Sequence, residues 1–481
     1  MNGWQEPNDG KRIYLITDNT KMDGFTDYIK PEDIEHLYVT YSESRVNLGI
    51  HYYRNSLYSS NLVGICRIKS VDDETLYDAE GNELLIKVVP RFNVTVVELL
   101  NYIRDDDEFD RYMAPQTISN RHKEKDIEAI DRNEIFYFFE NEKPLKVDDG
   151  ISSENSIITV TVFLTLLRLL CRRPLMGRML KEEENLTGKI VIEKNIRSNT
   201  MHGRNDRFYC QYLRFSDDII ENQILKAALR KAKRFIVDYF GDYSKDNNNY
   251  ASMISYCSNA LRHISDIQCS GTACNGLKFS GCYTYYKPVM AMARMVLDDI
   301  SVESNGEIST TGYIVPYAIS MEKLFEVYVR AYLKKNGIES YRSKSDKGIR
   351  LEKYDNKTDV FMEEEGLSNP GKYISGSIKP DLILTDRESG ETVVFDVKYK
   401  DYTNGDSRND RLQLLAYSMM MNANNVGIIL PAQAEMEIFD ARRINSMENR
   451  TVKYHQMLLG MMKDNPTIAN YIKDNTFEKK D

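Results

Sequence analysis

Ile378-Lys379-Pro380-Asp381-Leu382-Ile383-Leu384 and Thr392-Val393-Val394-Phe395-Asp396-Val397-Lys398-Tyr399-Lys400 are two apolar runs interrupted by charge. Between them Asp386-Arg387-Glu388-Ser389-Gly390-Glu391 has turn composition, so the pair predicts a β-hairpin. Alternate residues of a strand share a face, which sets Asp396 beside Lys398 and sends Phe395, Val397 and Tyr399 to the opposite face. Asp381 begins the partner strand, and a hairpin of this length brings its carboxylate beside Asp396. Two converging carboxylates and an amine can hold a hard cation such as Mg²⁺ and activate a water, the parts that metal-assisted phosphodiester hydrolysis requires. A half-exposed hairpin with surface charges has the same D-x-K spacing. The neighbours separate the two readings: both acids sit among Ile, Leu, Val and Phe, where a charge is costly unless it is paired or bound to metal.

The flanking segments extend the pattern. Upstream, Met321-Glu322-Lys323-Leu324-Phe325-Glu326-Val327-Tyr328-Val329 reads as an amphipathic helix carrying Glu326. Downstream, Asp410-Arg411-Leu412-Gln413-Leu414-Leu415-Ala416-Tyr417 reads as a helix with Gln413 and Tyr417 on one face. This order of helix, hairpin and helix resembles the PD-(D/E)XK nuclease superfamily, and the segments LFE, KPDLIL, FDVKYK and LQLLAY resemble its McrC branch, the nuclease subunits of methylcytosine-dependent McrBC restriction systems. The resemblance implies that Asp381, Asp396 and Glu326 are metal ligands, that Lys398 is the catalytic lysine, and that Gln413 and Tyr417 are the supporting Q-x-x-x-Y pair. All six are then candidate catalytic residues.

With 481 residues the chain is long enough for two or three domains. Its net charge of −9 is unusual for a protein that grips nucleic acid unaided. DNA is then held by a partner or by a local basic face, for which residues 168–181, 226–234 and 342–350 are candidates. The seven cysteines, an odd number without framework spacing, suit a reducing cytoplasm. Cys269, Cys274 and Cys282 fall short of the four ligands of a structural zinc site, and the nearby histidine, His263, stands at an unusual spacing. The start of the chain lacks a basic and then apolar leader pattern. The apolar stretch 157–170 is shorter than the ~20 residues that span a bilayer and contains Arg168, so it predicts a buried helix and no membrane partner.

The expected fold class is α/β (α+β), in three consecutive parts. Residues 1–150 form a β-rich domain, with strands over 62–68 and 84–92 and a capping box at Thr95-Val96-Val97-Glu98. Their order resembles the amino-terminal domain of McrC proteins. Residues 104–146 read as an exposed, charged excursion. Residues 151–305 form a mainly helical middle region, with helices expected over 156–173, 220–239, 250–267 and 286–297 and strands over 185–192 and 208–212. Asn222 lies in a pattern resembling the McrC middle, where a structural role is expected of it. Residues 306–481 form the nuclease domain, closed by one or two helices over 444–471. A Walker A sequence does not occur, so the chain is not itself the nucleotide-driven motor.

The resemblance implies a Mg²⁺-dependent endonuclease subunit of a modification-dependent, type IV restriction system. It would cut methylated double-stranded DNA in complex with an AAA+ GTPase hexamer resembling McrB, dock on that ring through residues 1–150 and stimulate its GTP hydrolysis. A self-sufficient nuclease with its own amino-terminal DNA-binding module, and an inactive adaptor of a defence complex, are the rival expectations. The adaptor is disfavoured because no acid and no lysine of the pattern is missing.

Overall fold

The computed structural model of the chain describes residues 2–38, 46–70, 74–92, 94–103, 106, 116–118, 135–139, 145–146, 149–184, 189–240, 249–302, 308–310, 313–314, 316–345, 347–352, 379–401, 408–432, 437–445, 451–461 and 465–477. Most of the charged excursion expected over 104–146, and Ile378 of the opening stretch, lie outside them. Contacts divide the chain into two units, one of residues 1–112, 118–140 and 317–481, the other of residues 113–117 and 141–316. This is not the expected division into three consecutive segments, and one strand is the reason. Tyr317–Ser320 pairs antiparallel with Leu62–Arg67 on one side and with Phe136–Phe139 on the other. The start of the carboxy-terminal segment thus completes a sheet built by the amino-terminal segment.

In the first unit that sheet continues from Leu62–Arg67 to Glu83–Val89, Lys11–Thr17 and Gly3–Trp4. Gly64 is required where the strands meet. It stands opposite Ala318, its φ is +150°, and a Cβ there would lie 2.1 Å from the Tyr317 carbonyl oxygen. The expected turn between the strands forms, with Asp78 Oδ1 accepting the amides of Glu80 and Asn82 and Gly81 at φ +85°. The capping box also forms. Thr95 N–H donates to Glu98 Oε2 at 2.7 Å, and Glu98 N–H donates back to Thr95 Oγ1 at 3.2 Å, starting the helix Val96–Ile103.

A second, six-stranded sheet carries the hairpin, in the order Ile349–Leu351, Leu382–Asp386, Thr392–Val397, Asn425–Ala432, Thr451–Gly460, Glu437–Asn445. The hairpin strands are antiparallel, whereas Asn425–Ala432 runs parallel to both of its neighbours. Helix Arg408–Met420 makes the crossover that a parallel neighbour needs, and its Leu414 and Tyr417 pack with Val394, Val426, Ile428 and Leu458. Gly427 lets the strands close, since a Cβ there would meet the His455 carbonyl at 2.3 Å. The helices expected over 444–471 are corrected to two strands followed by one helix, Thr467–Asn475. The run Thr451–Gly460 is long and buried along most of its length, and burial between two strands overrode its helical appearance.

The second unit gathers helices Asp149–Cys171, Ile220–Phe240, Asn249–Ala260 and Tyr286–Asp299. The third ends seven residues before the expected end at 267, and Ile192 begins a helix, Ile192–Ser198, instead of ending a strand. Residues 185–188 of that expected strand are outside the described residues. The second expected strand is shifted to Cys210–Ser216. Asn222 is structural: its amide donates to the carbonyls of Met176 and Asp217, and Tyr286 Oη donates to its Oδ1 at 2.9 Å. Two lysines of the basic run 226–234 are spent on backbone, Lys226 donating to the Ile264 carbonyl and Lys231 to that of Leu297. Cys66, Cys171, Cys210, Cys257, Cys269 and Cys274 are free thiols. Among the described residues, no helix is long and apolar enough to cross a membrane.

Two predictions follow from this arrangement. Because Phe136–Phe139 and Tyr317–Ser320 are neighbouring antiparallel strands, replacing residues 141–316 by a short Gly/Ser connection leaves a first unit that unfolds in one cooperative urea transition. Deleting residues 1–112 instead strips strands from the sheet and gives an aggregating or unfolded chain. The second concerns Asp18, fully buried at the end of Lys11–Thr17, where its Oδ1 accepts the Arg91 amide at 2.7 Å. Burial, opposed by Arg91, raises its pKa from 3.8 to about 6. A raised carboxyl contributes stability that is complete below the unfolded pKa and is lost as pH rises through the folded one, a change of about 1–2 kcal/mol between pH 5 and pH 8. Asp18→Asn keeps an acceptor for Arg91, so the difference in urea stability between those two pH values shrinks by that amount.

Candidate active site

The hairpin turn is closed by Asp386, whose Oδ2 accepts the Ser389 hydroxyl at 2.6 Å, with Gly390 at φ +73°. Leu382 pairs with Phe395, so the next position along places Asp381 across from Asp396. Val397 N–H donates to Asp381 Oδ2 at 2.9 Å and pins that carboxyl to the neighbouring strand. Asp396 is 1% exposed. Lys398 Nζ lies 2.9 Å from Asp396 Oδ2 as an ion pair, and that buried oxygen accepts no hydrogen bond. Beyond the strand's last residue, Lys398 N–H still donates to the Ile429 carbonyl at 3.0 Å and keeps the lysine in register with the sheet.

Burial first, then the charges of Glu326 and Asp396, push the Asp381 carboxyl well above the carboxylate range, and Asp396 is near enough to hydrogen-bond it. For Lys398 burial works against the ammonium, but Asp396, then Asp381 and Glu322, outweigh it and raise its pKa. The amine is therefore charged at neutral pH.

Helix Met321–Lys335 starts on Ser320, whose side chain accepts the Lys323 amide. Glu326 is gripped from both sides, by Lys323 Nζ at 3.0 Å and by an Arg330 nitrogen at 3.1 Å. Burial would raise its pKa, yet Arg330 and Lys323 hold it below the usual range. Arg330 also donates to the Asp381 carbonyl, so Glu326 reaches the hairpin through a cation. Glu322, one turn earlier, accepts the Asn61 amide at 2.9 Å.

Helix Arg408–Met420 brings the second pair. Tyr417 Oη donates to the Lys379 carbonyl at 2.9 Å, and Gln413 Nε2 donates to Tyr417 Oη at 2.5 Å. The Q-x-x-x-Y spacing thus secures the backbone two residues before Asp381. The structure brings Asp381, Asp396 and Lys398 together, with Glu326 one ion pair away and Gln413 and Tyr417 behind the strand. Among the described residues, no three His, Cys, Asp or Glu side chains converge as a metal cluster. Mg²⁺ commonly takes one or two protein carboxylates and keeps several waters, so the Asp381 and Asp396 pair with the unbonded Asp396 Oδ2 suits such a cation.

Sequence reasoning passed over Arg330, Asn61 and Arg91. Arg330 stands four residues after Glu326, a helical ion-pair spacing that could have been read. Asn61 and Arg91 lie hundreds of residues from the hairpin, where no local pattern points to them. Arg91 donates to the Tyr399 carbonyl at 3.1 Å, holding the strand end just past Lys398.

The model of the family described as McrBC 5-methylcytosine restriction system component matches residues 133–431, well over half of the chain and the whole of the hairpin and its two helices. The chain belongs to this family. No curated protein matches it. Among solved structures, this McrBC family chain is similar to one in a refined half-complex from a tetradecameric assembly of Thermococcus gammatolerans McrB AAA+ hexamers with bound McrC. The identity is 13% over 93% of this chain and 94% of that one, with a TM-score of 0.35. A cryo-EM structure of the Thermococcus gammatolerans McrBC complex gives 14% identity over 67% of this chain and 88% of the other, with a TM-score of 0.28. The family match, not these distant likenesses, places the chain.

Tyr417→Phe retains the buried ring but removes the donor to Lys379, so urea stability falls by about 1 kcal/mol. Tyr417→Ala also empties the packed face and costs about 3–5 kcal/mol, by analogy with other buried aromatics. Equal stability of Tyr417→Phe and the parent chain would remove the hydroxyl from the account of how Asp381 is held.

Proposed function

We propose that this McrBC family chain is the Mg²⁺-dependent endonuclease subunit of its restriction system. It cuts methylated double-stranded DNA in complex with an AAA+ GTPase hexamer resembling McrB, and stimulates that partner's GTP hydrolysis. The observation that carries the reading is the paired, buried carboxyls of Asp381 and Asp396 with a charged Lys398 beside them. In this reading Asp381 and Asp396 hold the cation. When bound, that cation polarises a phosphoryl oxygen and makes its water a stronger nucleophile at neutral pH. Lys398, oriented by Asp396 and kept protonated, faces the charge that develops on the phosphate rather than acting as the base. Glu326 acts as a positioning residue rather than the metal ligand expected of it, because Arg330, with which it pairs, also donates to the Asp381 backbone carbonyl. Gln413 and Tyr417 hold the approach to Asp381 from behind.

Division of labour with a partner agrees with the net charge of −9 and with a sequence that has no Walker A motif. Docking through the amino-terminal strands cannot be tested by deleting residues 1–150, because Leu62–Arg67 and Phe136–Phe139 flank Tyr317–Ser320 in one sheet. Substitutions at exposed positions are needed instead.

The test uses the purified chain with its partner, GTP, Mg²⁺ and methylated DNA. Asp396→Asn abolishes cleavage, and Lys398→Ala lowers it on the order of a hundredfold or more. Partner assembly and GTP turnover stay at the parent level in both. Glu326→Gln loses less activity than either and retains the metal dependence. Normal cleavage by Asp396→Asn would reject the site.

A further inference from the structure

We propose that the cavity beside the hairpin His51–Tyr58 is a base-stacking subsite that holds one unpaired nucleotide of a DNA strand next to the carboxylate pair. The proposal rests on the nuclease reading for the identity of the strand. The cavity measures about 410 Å³ and is lined by Asn19, His51, Tyr52, Tyr53, Asn61 and Tyr399, with Ser60. That volume lies in the range of small-molecule sites and admits one nucleobase with its sugar, not the edge of an intact duplex.

One wall reaches the candidate site through a hydrogen bond, and another, Tyr399, directly follows Lys398 in the chain, with its carbonyl held by Arg91 at 3.1 Å. Asn61 donates to Glu322 Oε2 at 2.9 Å, and Glu322 is among the acids whose charge bears on Lys398. A nucleotide in the cavity would therefore sit within reach of a phosphate placed against Asp381, Asp396 and Lys398.

The hairpin supplies the chemistry for such a guest. Strand His51–Tyr53 pairs with Ser56–Tyr58, Tyr53 facing Ser56. Tyr52 and Tyr53 are 50% and 53% exposed, so part of each ring is open to a guest. Every base has a face that such rings accept, whatever its identity. Arg54 and Asn55 form the two-residue turn with φ of +46° and +62°, the geometry that strand twist favours. An arginine is an uncommon choice for a left-handed position, and this one lies 5.1 Å over the Tyr53 ring. It puts a guanidinium, a good partner for a phosphate, at the tip of an aromatic strand. The amides of Asn19 and Asn61 are the donor and acceptor groups that a base edge can use. Cutting would then involve local opening of the duplex, with one displaced nucleotide parked on the hairpin.

The full chain is titrated, in EDTA so that nothing is cut, into a single-stranded oligonucleotide carrying one 2-aminopurine, whose fluorescence falls when it stacks on an aromatic ring. Quenching is expected with the parent chain. The Tyr52→Ala, Tyr53→Ala double variant binds at least about tenfold more weakly. The double Phe variant, which keeps both faces, binds as the parent does and shows that the change is not one of folding. Equal binding by the Ala variant, or absence of quenching, would overturn the proposal. So would 2-aminopurine nucleoside 5′-monophosphate binding as tightly as the strand, because the cavity would then be a mononucleotide site. DNA cleavage with the partner, measured on the same preparation, keeps the two readings apart. Cleavage without quenching overturns the subsite and leaves the nuclease. Quenching without cleavage under any divalent cation overturns the nuclease and supports the subsite.

Discussion

Two carboxyl groups facing each other inside an apolar hairpin repel, and each resists burial, so the arrangement persists only where opposite charge or hydrogen-bond donors compensate it. Around Asp381 and Asp396 the compensation comes from three directions. The Val397 amide reaches Asp381, Lys398 stands beside Asp396, and Arg330 grips the Asp381 carbonyl while answering Glu326. None of these cancels the burial of Asp381 or the charges of Glu326 and Asp396 beside it, which is why its carboxyl is pushed so far up. In the proposed function a divalent cation takes the place of the proton that the raised Asp381 carboxyl retains.

The same constraint explains why the sheet around the hairpin is so tightly drawn. Both strands must keep register to within one residue, since a slip would move an acid to the opposite face. Parallel pairing to Asn425–Ala432, the close approach at Gly427 and the Tyr417 bond to Lys379 all act on that register. The first unit extends the support into the amino-terminal segment. Gly64 allows Tyr317–Ser320 to lie against Leu62–Arg67, and Ser320 then caps the helix that carries Glu326 and Arg330. A buried Asp18 and Arg91 brace the far end of the Asp396 strand at Tyr399.

The hairpin, the Glu326 helix and the Gln413 helix were legible because each is a local pattern: alternation in a strand, a turn rich in Asp, Ser and Gly, and spacings of four on a helix. The capping box at Thr95 and the structural role of Asn222 were legible for the same reason. The discontinuous first unit was not. Four residues, Tyr317–Ser320, carry its connection, and nothing in their composition names the strands 250 and 180 residues earlier that they join. Thr451–Gly460 was misread as helical because a strand buried between two others and a buried helix can share one composition. Glu326 lies on the helix its pattern predicts, and its pairs with Lys323 and Arg330 are local spacings, but the bond from Arg330 to the Asp381 carbonyl is a tertiary contact that spacing alone does not give.

The most direct test of the account is whether Asp381 and Asp396 together make one hard-cation site. Mn²⁺, a paramagnetic substitute for Mg²⁺, is titrated into the purified chain and free ion is counted by electron paramagnetic resonance. The account predicts one tight ion per chain for the parent, loss of that ion in the Asp381→Asn, Asp396→Asn double variant, and affinity that rises with pH as the carboxyl pair gives up its proton. An unchanged ion count in the double variant would contradict it.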